Sequence, residues 1–262
     1  MPQTKSQPIA KRLLIHLKSL LMVFSVVIAM AFLPLPFTTL SADEVPPLGN
    51  TAQLRQGLQA YANKNYPLAW RHLFPLAKQG DREAQRRIGI MYRHGLGVAR
   101  NDLEALKWYR KAAEQGHVKA QNSLGIMYRF GMGVAKDPGE GAKWLLAAAR
   151  QGYAKSQENI GLVYLDGDGV EQNDELAAKW LKQAALQGQV RAQLTFGLLS
   201  LAGRGVAQNQ TEGMQWIERA ATQGSQQAAM ALAKAYEQGL YGKEKDLHQA
   251  KVWYQRAGQP VR

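Results

Sequence analysis

The stretch Asp81–Gly116 reads DREAQRRIGIMYRHGLGVARNDLEALKWYRKAAEQG, and related stretches follow one another along most of the chain. The dipeptide Gln-Gly recurs at 79–80, 115–116, 151–152, 187–188 and 223–224, a step of 36 residues. Trp108, Trp144, Trp180 and Trp216 keep the same step, and Trp253 follows one residue late. A fixed period of this size indicates a solenoid, in which each unit is one supersecondary motif. The last unit therefore contains one inserted residue, near Tyr241 and Gly242.

Each unit contains two amphipathic stretches at helical spacing. In the first unit, Ala84, Ile88 and Tyr92 predict the buried stripe of one helix, which glycines at 95 and 97 end. A second stripe, 105–113, runs to the Gln-Gly stop. The spacing predicts a pair of helices in every unit, joined by a short turn.

Helix-capping residues stand at equivalent places in front of each second helix. An Asn or Asp there can accept hydrogen bonds from the first free N–H groups of the helix. A Glu or Gln three residues later resembles the reciprocal capping box, in which it bonds back to the cap. The caps are Asn101, Asp137, Asn173, Asn209 and Asp246, and the later residues are Glu104, Glu140, Glu212 and Gln249.

The unit, written G-D-x-E-A-Q … G-x-x-Y-x-x-G-x-G-V … A-x-x-W-Y-x-x-A-A-x-Q-G, resembles the Sel1-like repeat, a relative of the tetratricopeptide repeat. The resemblance covers about residues 51–260, and its Gly-x-Gly-Val loop recurs at 95–98, 131–134, 167–170 and 203–206. It implies an all-α protein, a right-handed α/α solenoid of helix pairs. Ser200 departs from the pattern, because the other units have Tyr there. The chain has no cysteine, so packing alone must hold the units together.

The chain divides into four parts. Residues 1–42 are predicted to be a signal peptide or an N-terminal anchor, and 43–50 a short linker that contains two adjacent prolines. Residues 51–79 form an atypical N-terminal helix pair that caps the array, as terminal units commonly do. Residues 80–260 contain five Sel1-like repeats.

The N-terminal segment has the composition of an export signal. Lys5, Lys11, Arg12 and Lys18 stand in it without any acid, and an apolar run from Leu20 to Leu33 follows. That run is short for a membrane span, which needs about 20 apolar residues. Cleavage ahead of Asp43 would make the protein periplasmic or secreted, whereas an uncleaved segment 20–40 would anchor it to a membrane.

Little in the sequence indicates catalysis or a bound cofactor. The stretch 166–169, Asp-Gly-Asp-Gly, lacks the further ligands of a calcium loop, and no two of His72, His94, His117 and His248 have metal-ligand spacing. We therefore expect no enzyme activity, no metal and no cofactor.

Three functions remain open. The first, which we favour, is a cell-envelope scaffold that binds a protein or peptide in its concave groove. The second is an envelope enzyme that acts on cell-wall or lactam substrates. The third is a cationic module that docks on anionic lipid or polysaccharide, because the net charge is +13. Nucleic acid is not an expected partner, since no nucleic-acid-binding motif is present.

The tetratricopeptide resemblance implies that one side of each first helix lines the groove. This side should be basic in the first unit and increasingly apolar further on, which suits a partner with acidic and aliphatic residues. The predicted groove residues are Arg86, Arg87, Ile90, Arg93, His94, Asn122, Ile126, Arg129, Phe130, Leu162, Leu165, Leu194 and Leu198.

Overall fold

We analysed a computed structural model of the chain, which describes residues 49–258. Within this range the chain forms twelve α-helices and no strand. They are α1 Asn50–Ala62, α2 Tyr66–Lys78, α3 Arg82–His94, α4 Asp102–Glu114, α5 Val118–Phe130, α6 Pro138–Arg150, α7 Ala154–Asp166, α8 Asp174–Leu186, α9 Val190–Ala202, α10 Gln210–Thr222, α11 Gln226–Gln238 and α12 Leu247–Arg256. The predicted all-α solenoid of helix pairs is confirmed.

Each repeat is a pair of helices that we call the first and the second helix. The first helices α3, α5, α7, α9 and α11 begin 36 residues apart, and each helix packs chiefly against the helices before and after it in the chain. We number the repeats 1 to 5 from α3–α4 to α11–α12. The predicted signal peptide or anchor, and all but the last two residues of the predicted linker, lie outside the described residues.

The N-caps of the second helices are confirmed, but the reciprocal half of the capping box is wrong. In every repeat the Asn or Asp side chain accepts a hydrogen bond from the backbone N–H three residues later. The backbone N–H of the cap itself is already bound, as in Asn101, which donates to the carbonyl O of Tyr92 at 2.8 Å. Glu104 therefore pairs with Lys107 instead.

The Gly-x-Gly loop joins neighbouring repeats. Its second glycine lies against the start of the preceding second helix, so closely that a Cβ at Gly97 would lie 2.7 Å from the Cβ of Tyr66. At Gly133, Gly169 and Gly205 an added Cβ would overlap the backbone of that helix. The glycine is required because it lets two backbones touch.

The tryptophans also pack between repeats. Trp108 lies edge-on to Phe74 of the preceding helix pair, with 5.8 Å between ring centroids. Trp216 lies edge-on to Phe196 of its own repeat and joins a hydrophobic cluster with Leu181 of repeat 3. Trp144, Trp180 and Trp253 join hydrophobic clusters that contain residues of the preceding repeat. Trp144 and Trp180 are only half-buried.

The glutamine of the Gln-Gly stop belongs to a repeated hydrogen-bonded pair. Gln115 Nε2 donates to Oε1 of Gln85 at 2.7 Å, and Gln85 Nε2 donates to the carbonyl O of Ala77. Gln85 is buried in α3, so its amide links the ends of α2 and α4. The same arrangement recurs in repeats 2, 3 and 4.

The two ends of the described array differ from its interior. At the N-terminal end, Lys64 makes the turn between α1 and α2 with a φ of +59°, and no Gly-x-Gly loop is present there. In repeat 5, Lys234, Glu237 and Lys251 are exposed where repeat 4 has Leu198, Leu201 and Met214. Polar residues on the outer side of this last helix pair cover the end of the core.

Candidate functional site

The predicted groove residues lie on the first helices α3, α5, α7 and α9, but they differ in exposure. Four are buried within the array and so contribute to its core: Arg86, Asn122, Leu162 and Leu194. Six are half-buried: Arg87, Ile90, Arg93, Ile126, Arg129 and Leu165. Three are exposed: His94, Phe130 and Leu198.

The arginines of repeat 1 are held by an acid of the same helix. Glu83 accepts hydrogen bonds from Arg86 and Arg87 at 3.0 and 2.7 Å, and it bonds to Nε2 of His117 in the next repeat at 2.7 Å. Burial alone would raise the pKa of Glu83, but the bonds from His117 and Arg86 hold that pKa well below its ordinary value. Glu83 therefore links repeats 1 and 2 through His117, and its single negative charge offsets part of the charge of the two arginines.

A cavity of about 250 Å³ lies where the first helices of repeats 2, 3 and 4 face solvent. It brings together four predicted groove residues, Ile126, Arg129, Phe130 and Leu162. The other lining residues are Leu145, Asn159, Asp166 and Arg191. The cavity thus has an apolar wall and a polar rim, which suits an apolar side chain flanked by charged or hydrogen-bonding groups.

Two polar side chains of the cavity are fixed by their neighbours. Arg129 Nε donates to Oδ2 of Asp168 at 2.5 Å, and Asp166 lies 3.8 Å from the same guanidinium. The Asp-Gly-Asp-Gly loop of repeat 3 therefore binds a side chain of repeat 2. Asn159 Nδ2 donates to Oδ1 of the buried Asn122 at 3.0 Å, which leaves the Asn159 carbonyl oxygen as the group that is free to accept.

The sequence interpretation missed a row of cations. Lys119, Lys155 and Arg191 are the second residues of α5, α7 and α9, stand 36 residues apart, and are all exposed. None of them takes part in an ion pair among residues 49–258. A comparison of repeats position by position would have found this row, because the charge recurs with the period. The predicted groove positions began three residues later and left it out.

One carboxylate lies close to this row. Glu158 is half-buried on α7, and burial raises its pKa, while the charge of Arg191 acts in the opposite direction. The nearby backbone N–H of Ala192, near the start of α9, also acts to lower that pKa, and Gln189, the N-cap of α9, makes no side-chain cap. Glu158 of repeat 3 thus lies beside the start of α9, the first helix of repeat 4.

A second cavity, of about 460 Å³, lies on α1 and α2. Its lining is mostly amide side chains, from Gln56, Gln59, Asn63 and Asn65, together with His72. It contains none of the predicted groove residues. Within residues 49–258, no group of three or more His, Asp or Glu residues could hold a metal ion. No helix in this range is long and apolar enough to cross a membrane.

Comparisons with known proteins agree with the repeat pattern. Five consecutive segments, 82–117, 118–153, 154–189, 192–225 and 226–259, match the family model of the Sel1 repeat. A search of curated proteins found no match.

Solved structures include several similar arrays. A Sel1 repeat protein from Oxalobacter formigenes is 35% identical, with a TM-score of 0.74, and the match covers 78% of this chain and 84% of that chain. A protective antigen of uropathogenic Escherichia coli strains that displays the same repeat fold is 33% identical, with a TM-score of 0.76. That match covers 80% of this chain but only 46% of the antigen. An immunity protein from Pseudomonas aeruginosa, 19% identical with a TM-score of 0.51 over 82% of this chain and 84% of its own, shares the fold.

Proposed function

Because the chain belongs to the Sel1 repeat family, whose repeats generally mediate protein–protein interaction, we propose that it is an exported cell-envelope scaffold that binds a protein partner. The binding surface in this proposal is the solvent-facing side of the first helices of repeats 2, 3 and 4. Proteins built from this repeat are typically scaffolds without enzyme activity. The protein would accordingly hold its partner in place and perform no chemistry on it.

The cavity of repeats 2, 3 and 4 is the observation that carries the proposal. Its apolar wall is open to solvent beside Phe130 of repeat 2, whose exposed fraction is 57%, and Leu198 of repeat 4 is 47% exposed. An apolar cavity with a large exposed apolar side chain such as Phe130 at its edge is typical of an interaction surface. The adjoining cations would give a partner its orientation and speed its association.

Export is proposed from the N-terminal sequence. The cations, the apolar run Leu20–Leu33 and the small residues before Asp43 have the order of a signal peptide. Intact-mass measurement of the exported protein should find a species that begins near Asp43. A protein that keeps Met1 and remains in the membrane fraction would show an anchor instead.

Site-specific photocrosslinking in living cells tests the binding surface. A photoreactive amino acid at Leu198 should crosslink to a protein, whereas the same group at Leu186 should not. Leu186 is a matched control because it is also an exposed leucine, 66% exposed, but it ends a second helix. Crosslinks from Leu186 alone would move the interaction to the second helices and refute the proposed surface.

A further inference from the structure

The first helices of repeats 2, 3 and 4 carry three parallel rows of side chains. Within each helix the three positions are separated by four and then three residues, which places them on one side of the helix. The first position is an exposed cation, the next a small polar residue, and the last an aliphatic residue. The rows are Lys119, Lys155 and Arg191, then Ser123, Asn159 and Thr195, then Ile126, Leu162 and Leu198. We call them the cationic, the polar and the aliphatic row.

The cationic row has defined ends. In repeat 1 its position is occupied by Glu83, which binds Arg86 and Arg87, and in repeat 5 by the uncharged Gln227. The aliphatic row continues to Ile90 in repeat 1 but stops at repeat 5, where Lys234 stands. The two rows therefore occur together only on α5, α7 and α9. The same three repeats form the cavity, which Ile126, Asn159, Leu162 and Arg191 line together.

We propose that the three rows bind an amphipathic α-helix of the protein partner, which lies across α5, α7 and α9 with acidic residues along the cationic row and aliphatic residues along the aliphatic row. This inference rests on the proposed scaffold function and specifies the kind of segment that the scaffold holds. The partner helix has one aliphatic residue at every seventh position.

The spacing of the repeats selects a helix over an extended segment. Successive first helices lie side by side, since Asn122 of α5 accepts hydrogen bonds from Ser156 and Asn159 of α7, and the axes of neighbouring helices lie about 8–10 Å apart. Seven residues of an α-helix advance about 10.5 Å, so side chains spaced by a heptad meet the aliphatic row once per repeat. Three residues of a β-strand also advance about 10 Å, but strand side chains alternate between faces, so the third residue points away.

The distance between the rows also suits a helix. From Lys119 to Ile126 is seven residues along α5, or about 10.5 Å, which is close to the diameter of an α-helix with its side chains. A helix lying on the polar row can therefore place aliphatic residues on one flank and acids on the other. The cavity accepts one aliphatic side chain against Ile126 and Leu162, while Arg191 at its rim meets the neighbouring acid.

The test uses a designed fluorescent peptide and the purified full chain in a non-ionic detergent. The peptide is about 21 residues long, three heptads, with leucine at every seventh position, glutamate along one flank and alanine elsewhere. Fluorescence anisotropy measures its dissociation constant. Comparison peptides have the same composition with leucine at every fifth position, or lysine in place of glutamate. Vesicles containing phosphatidylglycerol and a short single-stranded oligonucleotide are offered separately.

The double variant Lys155→Glu/Arg191→Glu should weaken binding of the heptad peptide about tenfold or more, since like charges would then face each other. Leu198→Ser should weaken it through loss of an apolar contact. The matched control Lys179→Glu/Lys251→Glu makes the same change of charge at exposed, unpaired lysines of second helices and should bind as the unaltered chain does. Far-ultraviolet circular dichroism confirms that every variant is folded.

Three results would overturn the inference: no detectable binding of the heptad peptide, equal binding of the peptide with leucine at every fifth position, or equal weakening by the control variant. Preferential binding of vesicles or oligonucleotide that the Lys155/Arg191 variant abolishes would assign the cationic row to a different class of ligand. Photocrosslinks from Leu198 to a protein, without binding of the heptad peptide, would leave the scaffold function intact and refute only the helical partner.

Discussion

Gly205 is the loop glycine at which the contact between repeats can be measured most directly. Its φ is +68°, and a Cβ placed on it would overlap the carbonyl O of Asp174 and lie 2.8 Å from the backbone N of Glu175. Gly205→Ala therefore has two separate costs. One is the left-handed backbone, which costs an alanine about 1–2 kcal/mol. The other is steric, because the loop of repeat 4 must move away from the start of α8.

The steric cost can be isolated with Gly188, which lies at the same joint between repeats 3 and 4. Its φ is +85°, so alanine there has the same kind of backbone cost, but no atom of the described part of the chain lies within 4 Å of an added Cβ. We expect Gly188→Ala to lower the free energy of unfolding by about 1–2 kcal/mol. Gly205→Ala should lower it by about 2–5 kcal/mol, since overpacking adds about 1–3 kcal/mol to the backbone cost.

Urea unfolding followed by far-ultraviolet circular dichroism and tryptophan fluorescence measures both variants. The midpoint should fall in each, and further for Gly205→Ala, with an unchanged dependence on urea if the array still unfolds as one unit. If the two variants lose the same free energy of unfolding to within about 0.5 kcal/mol, the reasoning is refuted. That result would mean that the loop accommodates the added Cβ at no cost and that Gly205 is needed only for its left-handed backbone conformation.

Three further predictions concern polar side chains between repeats. Ser200 is fully buried and its hydroxyl has no hydrogen-bond partner among residues 49–258, so Ser200→Ala should raise the free energy of unfolding by about 1 kcal/mol, and a lower urea midpoint would contradict this. Gln121→Ala removes both hydrogen bonds of a buried amide and should lower the free energy of unfolding by about 2–4 kcal/mol. Gln151→Ala changes the exposed partner of that amide and should lower it by about 1 kcal/mol in the same assay. The pKa of Glu83 is lowered in the folded protein, so its contribution is present above the ordinary value of 4.5 and is lost as the pH falls below it. The difference in stability between the unaltered chain and Glu83→Gln should therefore shrink from pH 7 towards about pH 3, and a constant difference would contradict the role of His117 and Arg86.

The period could be read from the sequence because each unit faces the same packing problem. Trp108 and its equivalents recur because each packs against a neighbouring helix of the array, and Asn101 and its equivalents recur because every second helix needs an N-cap. Such features either lie within one helix or recur between equivalent neighbouring repeats. The sequence of a single repeat therefore contains both interacting residue types. The number of helix pairs, their order and their caps followed from that.

The predicted hydrogen bond from the Glu or Gln side chain back to the N-cap does not form, and the sequence alone does not show why. The spacing from Asn101 to Glu104 allows the bond, but the backbone N–H of Asn101 is already bound to the carbonyl O of Tyr92. Only the path of the turn brings those two groups together. A side chain cannot bond a donor that the backbone has already satisfied.

The sequence by itself determined the repeat array and the side of the first helices on which the candidate groove residues lie, because helical periodicity assigns side chains to faces. Only the tertiary structure decided which charges on that side are available. Arg86, Arg87 and Arg129 are cations in the sequence, but Glu83 and Asp168 bind them, while Lys119 and its equivalents form no ion pair within the described range 49–258. Glu83 and its arginines lie on one helix, yet Asp168 lies 39 residues from Arg129, in the loop of the next repeat. Whether a charge meets its partner or solvent depends on how the repeats are stacked, and stacking is a property of the folded chain.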